Sequence, residues 1–490
     1  MKMVKSLILG SAAGLLAMSG AQAADLPVKA KAVEYVRICS LYGAGFFYIP
    51  GTDTCIKLGG YLRVDSTFNG GIQDAPAWNG DLGQVNRYRD QFQSRSRMAF
   101  TVDTRTATEY GVVRTFGQAD FTFDSPSGFR GGAAGSNFAA EFLFIQFAGF
   151  TFGKSASAFA TPWHGYPGNN SSFLLGGHDT VTGVNNIQYT AQFGNGVSGT
   201  IGLDEPLVYW RTRDSLLIPT NIDAVGATGN NYGGAAAPDI VGNIRVDQAW
   251  GLFQISGAAH QNFASYYVPT LETSGHPDSK WGGSVMAALQ IKNIPTGPGD
   301  DIKIDATYAV GNTKNVISTS SGSPNFAMFS GGNGTSYQSV GFGNTTDAVY
   351  VPGGSLELTK AYGVRGAFNH NWDPFWSSSL FGSYSAVRYN TNAKAAYCAT
   401  YIARNTLTTP GFTSPDFGCN PDFNVSQLGV VTRWTPVKNL TFSAEAMWFH
   451  LDQKFTGSAV LTPPAPKPTA VYNYKDQDAV SLNVRVQRNF

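Results

Sequence analysis

Val480-Ser481-Leu482-Asn483-Val484-Arg485-Val486-Gln487 alternates apolar and polar residues without a miss. Successive side chains of a β-strand point to opposite faces, so this stretch makes a ribbon with one aliphatic and one polar side. Phe490 falls in register with the aliphatic side. The rhythm recurs at the other end of the chain. Ile56, Leu58, Leu62 and Val64 alternate with Lys57, Tyr61, Arg63 and Asp65, and Phe92, Met98, Phe100 and Val102 with Gln93, Arg95, Arg97 and Asp103. Further along, Ile302, Ile304 and Tyr308 oppose Lys303, Asp305 and Thr307, while Leu440, Phe442, Ala444 and Trp448 oppose Thr441, Ser443 and Glu445.

Sixteen such segments are predicted, over 56–68, 92–104, 110–123, 139–147, 149–157, 185–193, 196–204 and 240–248, then 251–260, 282–292, 301–310, 361–371, 375–389, 424–434, 439–451 and 478–490. Glu141 to Phe147 is apolar on both faces, as a strand buried on both sides at a subunit interface would read. Short links such as Phe193-Gly194-Asn195-Gly196 and Asn371-Trp372-Asp373-Pro374 carry the residues of tight turns. They alternate with long links rich in Gly, Ser and Asn, about 158–184, 205–239, 261–281, 311–360, 390–423 and 452–477. Strict short–long alternation puts all turns at one end and all loops at the other.

That is the pattern of an all-β, 16-stranded antiparallel transmembrane β-barrel with short turns on one side and long external loops on the other. Lipid offers no hydrogen-bond partners, so a spanning sheet must close. At sixteen strands the interior is wide enough for an aqueous channel. A secreted β-sandwich is the rival. Trp372, Phe375, Trp376, Trp434 and Trp448 lie near strand ends, where a membrane barrel carries aromatic girdles, and favour the barrel.

Composition agrees. Of 490 residues, 14% are charged and 13% aromatic, too few charges and too many rings for a disordered chain. A formal charge of +1 leaves no basic surplus for phosphates, which argues against nucleic acid as a partner. Lys2 and Lys5, an apolar run from Ser6 to Met18 and Ala21-Gln22-Ala23 read as a cleaved secretory signal over 1–23. Residues 24–55 then form an N-terminal segment on the periplasmic side, and 56–490 the barrel. No apolar run long enough for a membrane helix follows the signal. Four cysteines suit an oxidising compartment. Local pairing, Cys39 with Cys55 and Cys398 with Cys419, is favoured over a zinc site, because neither pair has C-x₂₋₄-C spacing or a nearby histidine.

Catalysis finds no support, so the chain is read as a non-enzyme without metal or cofactor. Gly149 to Ser155 has three residues between its glycines where a phosphate loop has four, and none of the six histidines has H-E-x-x-H spacing. His260 and His450, near strand ends, are expected to be solvated rim residues.

The segment from Val36 to Arg63, with Cys39-Ser40-Leu41-Tyr42-Gly43 and Thr54-Cys55-Ile56-Lys57-Leu58-Gly59-Gly60-Tyr61 within it, resembles the N-terminal signature of alphaproteobacterial (rhizobial-type) outer-membrane general porins. Phe147 to Lys154 and Phe490 look like that family too. The resemblance implies homotrimers in the cell outer membrane, set among lipid and lipopolysaccharide, passing small hydrophilic solutes and ions by diffusion. It implies that the third long loop, about Ala158 to Val184, folds inward and narrows the pore. It also implies that Phe490 belongs to the signal read by the barrel-assembly machinery.

The inward phase places Arg63, Arg95, Arg97 and Arg114 on neighbouring strands at middle depth, with Lys57, Asp65 and Asp103 on the same face. These arginines are expected to set a field across the constriction; the alternative is that they pair with Asp65, Asp103 and Asp120. The inner loop is nearly neutral, Asp179 being its one acid beside His164 and His178. A weak anion preference, or little selectivity, follows. Phe159, Trp163, Tyr166, Phe173, Leu174 and Leu175 dominate that loop. Packing against the wall is favoured for them over a stacking surface for sugars. A surface adhesin or receptor barrel is the remaining alternative, resting on the long loops 311–360 and 390–423.

Overall fold

In the computed structural model sixteen antiparallel strands close into one barrel. Residues 37–71, 75–125, 135–178, 181–206, 232–319, 323–408 and 411–490 are described, with three two-residue strand pieces between 216 and 227. The first eight strands are β1 (Cys55–Phe68), β2 (Phe92–Thr108), β3 (Gly111–Asp124), β4 (Gly135–Phe147), β5 (Phe150–Ser155), β6 (Val184–Gly194), β7 (Val197–Asp204) and β8 (Asp239–Gln248). The others are β9 (Gly251–Asn262), β10 (Lys280–Lys292), β11 (Asp301–Val310), β12 (Lys360–Asn371), β13 (Trp376–Arg388), β14 (Phe423–Val437), β15 (Leu440–Gln453) and β16 (Gln477–Asn489). β16 pairs with β1, Val486 opposite Val64 and Asn489 opposite Tyr61, so the sheet has no edge.

The two faces of β16 decide barrel against sandwich. Val480, Leu482 and Val484 are 58%, 41% and 41% exposed, whereas Ser481, Asn483 and Arg485 are 5%, 3% and 8%. A soluble sandwich would bury the valines and wet the arginine. Here the aliphatic face looks outward, as hydrocarbon requires. Tyr110, Phe193, Trp250, Trp372, Trp376 and Trp434 stand outward near the short-turn end, and Phe68, Phe92, Phe123, Phe138, Trp281 and Trp448 nearer the long-loop end. Trp376 stacks on Trp434 at 5.8 Å across β13 and β14.

The doubly apolar β4 has a local cause. A register shift at Gln118/Ala119 puts an extra residue, Glu141, into β4, so that Glu141 and Phe142 are both buried. Such a bulge breaks the alternation. Beyond it Phe144 stacks on Phe116 inside the barrel at 5.4 Å, while Leu143 and Ile145 stay exposed outside.

The long links differ from the open loops that their composition suggests, because several fold into a cap. The hairpin Phe326–Asn333/Ser336–Gly343 takes Ala470–Tyr474 alongside in parallel, and Ser458–Leu461 pairs beyond it. A helix, α1 (Thr391–Arg404), is N-capped by Asn390, whose side chain accepts from Ala393 N at 2.8 Å. It buries Ala393, Tyr397 and Tyr401 at helical spacing, and Cys398–Cys419 ties it to the returning chain. The cap sits on inward-facing Val387, Phe423, Val425, Phe449 and Leu451 of β13–β15, which are fully buried. Trp78, from the β1–β2 loop, meets Phe173, Phe326 and Phe449 edge-on at 5.4, 5.3 and 5.1 Å. Lys467 of the last loop lies 4.0 Å from the Phe329 ring centroid and donates to Gln84 O at 2.6 Å. Burial draws that ammonium down to about 8.

Candidate channel constriction

β5 is only six residues long, and the chain leaves it to cross the barrel interior before returning at β6. Wall side chains hold the backbone of this inner loop along its course. On the near wall, Asn243 donates to Ala158 O at 2.6 Å and Gln254 to Ala160 O at 2.7 Å. On the far wall, Asn369 donates to Pro167 O at 3.1 Å, and Gln427 both donates to Phe173 O (2.7 Å) and accepts from Leu175 N (2.8 Å). Glu445 accepts from Asn170 N and Ser171 N, Arg433 donates to Gly168 O and Arg485 to Asn170 O. Thr182 closes the circuit onto Glu141 at 2.8 Å. Buried peptide groups need such partners, since each unpaired one costs about 1–3 kcal/mol.

The strongest anchor is Arg365, which is 1% exposed. Its Nε meets both oxygens of Asp305 at 3.0–3.1 Å, Nη1 donates to Leu174 O at 3.3 Å and Nη2 to His178 O at 2.6 Å. Gly177 makes this approach possible, since a Cβ there would lie 2.1 Å from Asp305 Oδ1.

The aromatic residues of the loop face the wall. Phe159 and Trp163 pack with Val241, Met286 and Ala288, and Tyr166 and Leu174 with Ala367, Phe381, Val431 and Met447. Phe173 and Leu175 join the cap. The rings of Phe159, Trp163, Tyr166 and Phe173 are at most 8% exposed, with Trp163 and Tyr166 at the edges of the space beside the loop.

What the loop leaves open lies against β1–β4 and β16. A cavity of about 460 Å³ there is lined by Arg63, Arg97, Lys154 and Arg485 together with Asp120, Glu141, Tyr166 and Asn170. A larger cavity of about 720 Å³, reaching the turns at Gly196 and Asp247, shares Gln118 and His164 with it. The two are neighbours at these residues.

The arginines are partnered. Arg95 Nη2 and Arg485 Nε reach Asp65 at 2.7 and 2.5 Å, with Arg63 Nε at 3.3 Å; Arg97 reaches Asp120 at 2.8 Å; Arg105 and Arg114 share Asp103 at 2.9 and 3.0 Å. The alternative that pairs these arginines with Asp65, Asp103 and Asp120 therefore describes their contacts, and a bare ladder does not. Depth differs too. Arg114 sits three residues from the start of β3 and lines the larger cavity, well below Arg63 and Arg97. Arg95 is buried behind Asp65. Lys57 is exposed at the short-turn end, 5.9 Å from the Phe46 ring of the segment closed by Cys39–Cys55. Asp179 lies outside the described residues. His260 is fully buried, against the expectation of a solvated rim: it lies 2.6 Å from Asp239 and 2.9 Å from Tyr232, in a network with Lys314. His450 does stay near the rim, beside Asp478 at 2.9 Å.

Glu141, Arg365, Gln427, Arg433, Glu445 and Arg485 belong to the constriction and were not singled out from sequence. Arg485 stands in the polar phase of the stretch that decides the fold, so its inward direction was readable; its contact with a loop 315 residues away was not.

A closed 16-stranded barrel, apolar outside and polar within, with an anchored inner loop beside a charged passage, is the architecture of an outer-membrane channel. The family model described as Porin subfamily matches residues 25–483, and this chain belongs to that family. Porin Omp2b of Brucella suis is 36% identical over 258 residues, covering 51% of this chain and 64% of the relative; Porin Omp2b of Brucella canis is 35% identical over 256 residues, covering 51% and 63%. The chain thus spans a little under two-thirds of those relatives' length. The crystal structure of the outer membrane channel DcaP of Acinetobacter baumannii superposes with a TM-score of 0.57 at 13% identity, over 90% of this chain and 99% of that one, a likeness of fold. The cell outer membrane is accordingly its location.

Proposed function

We propose that the chain is a water-filled channel for passive diffusion of small hydrophilic solutes and ions, working as a homotrimer. The observation that carries this reading is the pair of neighbouring cavities beside the inner loop, bordered by charged and polar side chains, inside a barrel whose exterior is apolar. The homotrimer is proposed from membership of the porin family. Lipopolysaccharide would surround the outer girdle. Export through the 1–23 signal and recognition of Phe490 by the barrel-assembly machinery complete the proposal. Phe490 is exposed beside the closing seam, with its backbone bonded to Gly60. Phe490→Ala should lower the outer-membrane yield several-fold on quantitative blots while leaving the conductance of assembled channels unchanged; a normal yield removes this residue from the signal.

The smaller cavity presents four cationic residues, Arg63, Arg97, Lys154 and Arg485, against the anionic Asp120 and Glu141. This modest excess supports a weak anion preference. Purified protein in planar bilayers should give stepwise conductance, with a reversal potential in a KCl gradient displaced slightly toward the chloride potential. Strong cation preference overturns the charge reading. Surface binding without conductance overturns the channel in favour of a receptor barrel. The burial of the loop aromatics argues against a sugar-preferring pore.

A further inference from the structure

Two rows of inward side chains cross the seam at the constriction, and their charge differs. In one, Arg485, Asp65, Arg95 and Asp124 face one another in order across β16, β1, β2 and β3, a self-neutral sequence of signs. In the next, the order is Gln487, Arg63, Arg97 and Thr122. Arg63 and Arg97 are direct cross-strand neighbours on the same face, an arrangement of like charges that destabilises a sheet. Arg97 is answered by Asp120 and by Thr122, to which its Nε donates at 3.0 Å. Arg63 is not answered so fully. Asp65 already accepts twice from Arg95 and once from Arg485. Arg63 Nε, 3.3 Å away, is buried without a hydrogen bond. Among the described residues Asp65 is the one carboxylate within ion-pair distance of Arg63. Both guanidinium groups line the 460 Å³ cavity.

We propose that Arg63 and Arg97 form a binding subsite for a small oxyanion carrying two negative charges, a phosphate or a dicarboxylate. This rests on the channel reading and goes beyond it, since a simple diffusion pore conducts in proportion to salt while a channel with a subsite saturates. A guanidinium presents its donors in a planar fork that matches carboxylate and phosphate oxygens. The ligand, reaching the two guanidinium groups from the cavity they line, supplies the negative charge that the row lacks. Nothing covalent happens; the anion occupies the constriction briefly and moves on.

The test is block of chloride current through single channels by added inorganic phosphate or succinate at low salt, where screening is weakest. The wild type should show a saturable block by both, with none by uncharged glucose. Arg63→Gln leaves Asp65 two arginine partners, so folding is retained, and should raise the half-blocking concentration at least about tenfold, the scale of one hydrogen bond to a charged group. Arg245→Gln removes an equal charge beside Asp247 in the larger cavity and should leave the block unchanged. Block by phosphate alone would assign the subsite to tetrahedral anions, and by succinate alone to dicarboxylates. Conducting channels that both anions leave unblocked, or equal effects of R63Q and R245Q, overturn the subsite. Protein that never conducts overturns the channel reading instead.

Discussion

Arg365→Ala is expected to widen the channel and weaken the protein in one step. The substitution leaves Asp305 as a buried carboxylate with its ion pair removed, which costs about 3–5 kcal/mol. Two loop carbonyls, Leu174 O and His178 O, lose their donor as well. Because the loop approaches the wall at this point through Gly177, with no side chain to take over the contact, the inner loop should detach locally. Single-channel conductance should then rise and current noise increase, and the thermal transition should fall. The double variant Arg365→Met with Asp305→Asn removes the stranded charge; it should recover much of the lost stability while the conductance stays high. That split separates a loop anchor from a general defect of folding. Unchanged conductance in R365A would show that the other tethers, Gln427 and Glu445 above all, hold the loop without it.

Trp78→Ala acts on the cap. The indole is enclosed by rings from the inner loop, the hairpin beginning at Phe326 and the wall at Phe449. Its backbone carbonyl also accepts from Ala327 N at 2.8 Å. Truncating an enclosed tryptophan costs about 3–5 kcal/mol. The loss falls on contacts between long links and on one wall residue, so strand pairing should survive. Brief proteolysis should cut the β1–β2 and β11–β12 links of W78A many times faster than those of the wild type. The heat-induced mobility shift of the barrel on gels should remain. A barrel that opens at lower temperature would show that cap and wall unfold together.

The strands were legible because each wall residue lies between two media, hydrocarbon and water-filled polar interior, and the chain writes that difference with period two. Asp301–Val310 stands where its alternation placed it, and the ends of β16 shift by one residue. Where the period slipped, at Glu141-Phe142, a bulge had added a residue. The cap was less legible because its pieces are short and bury against one another across great sequence distances. Even so, α1 carried a local signal, with Asn390 as cap followed by Ala393, Tyr397 and Tyr401 on one helical face. At the constriction, the inward direction of Arg63 and Arg97 could be read from phase. Their partners could not, because Asp65 meets Arg485 through a register set only when the barrel closes.

That closing register has a consequence for biogenesis. Arg485 and Asp65 are 420 positions apart, so the final strand pair forms only after nearly the whole chain has been made. Until that pair forms, β1 and β16 each present a row of unpaired peptide groups. Such rows invite pairing with other chains. The unfinished sheet is therefore most vulnerable just before completion, and a cell making this protein must escort two sticky margins across an aqueous space and bring them together at the membrane.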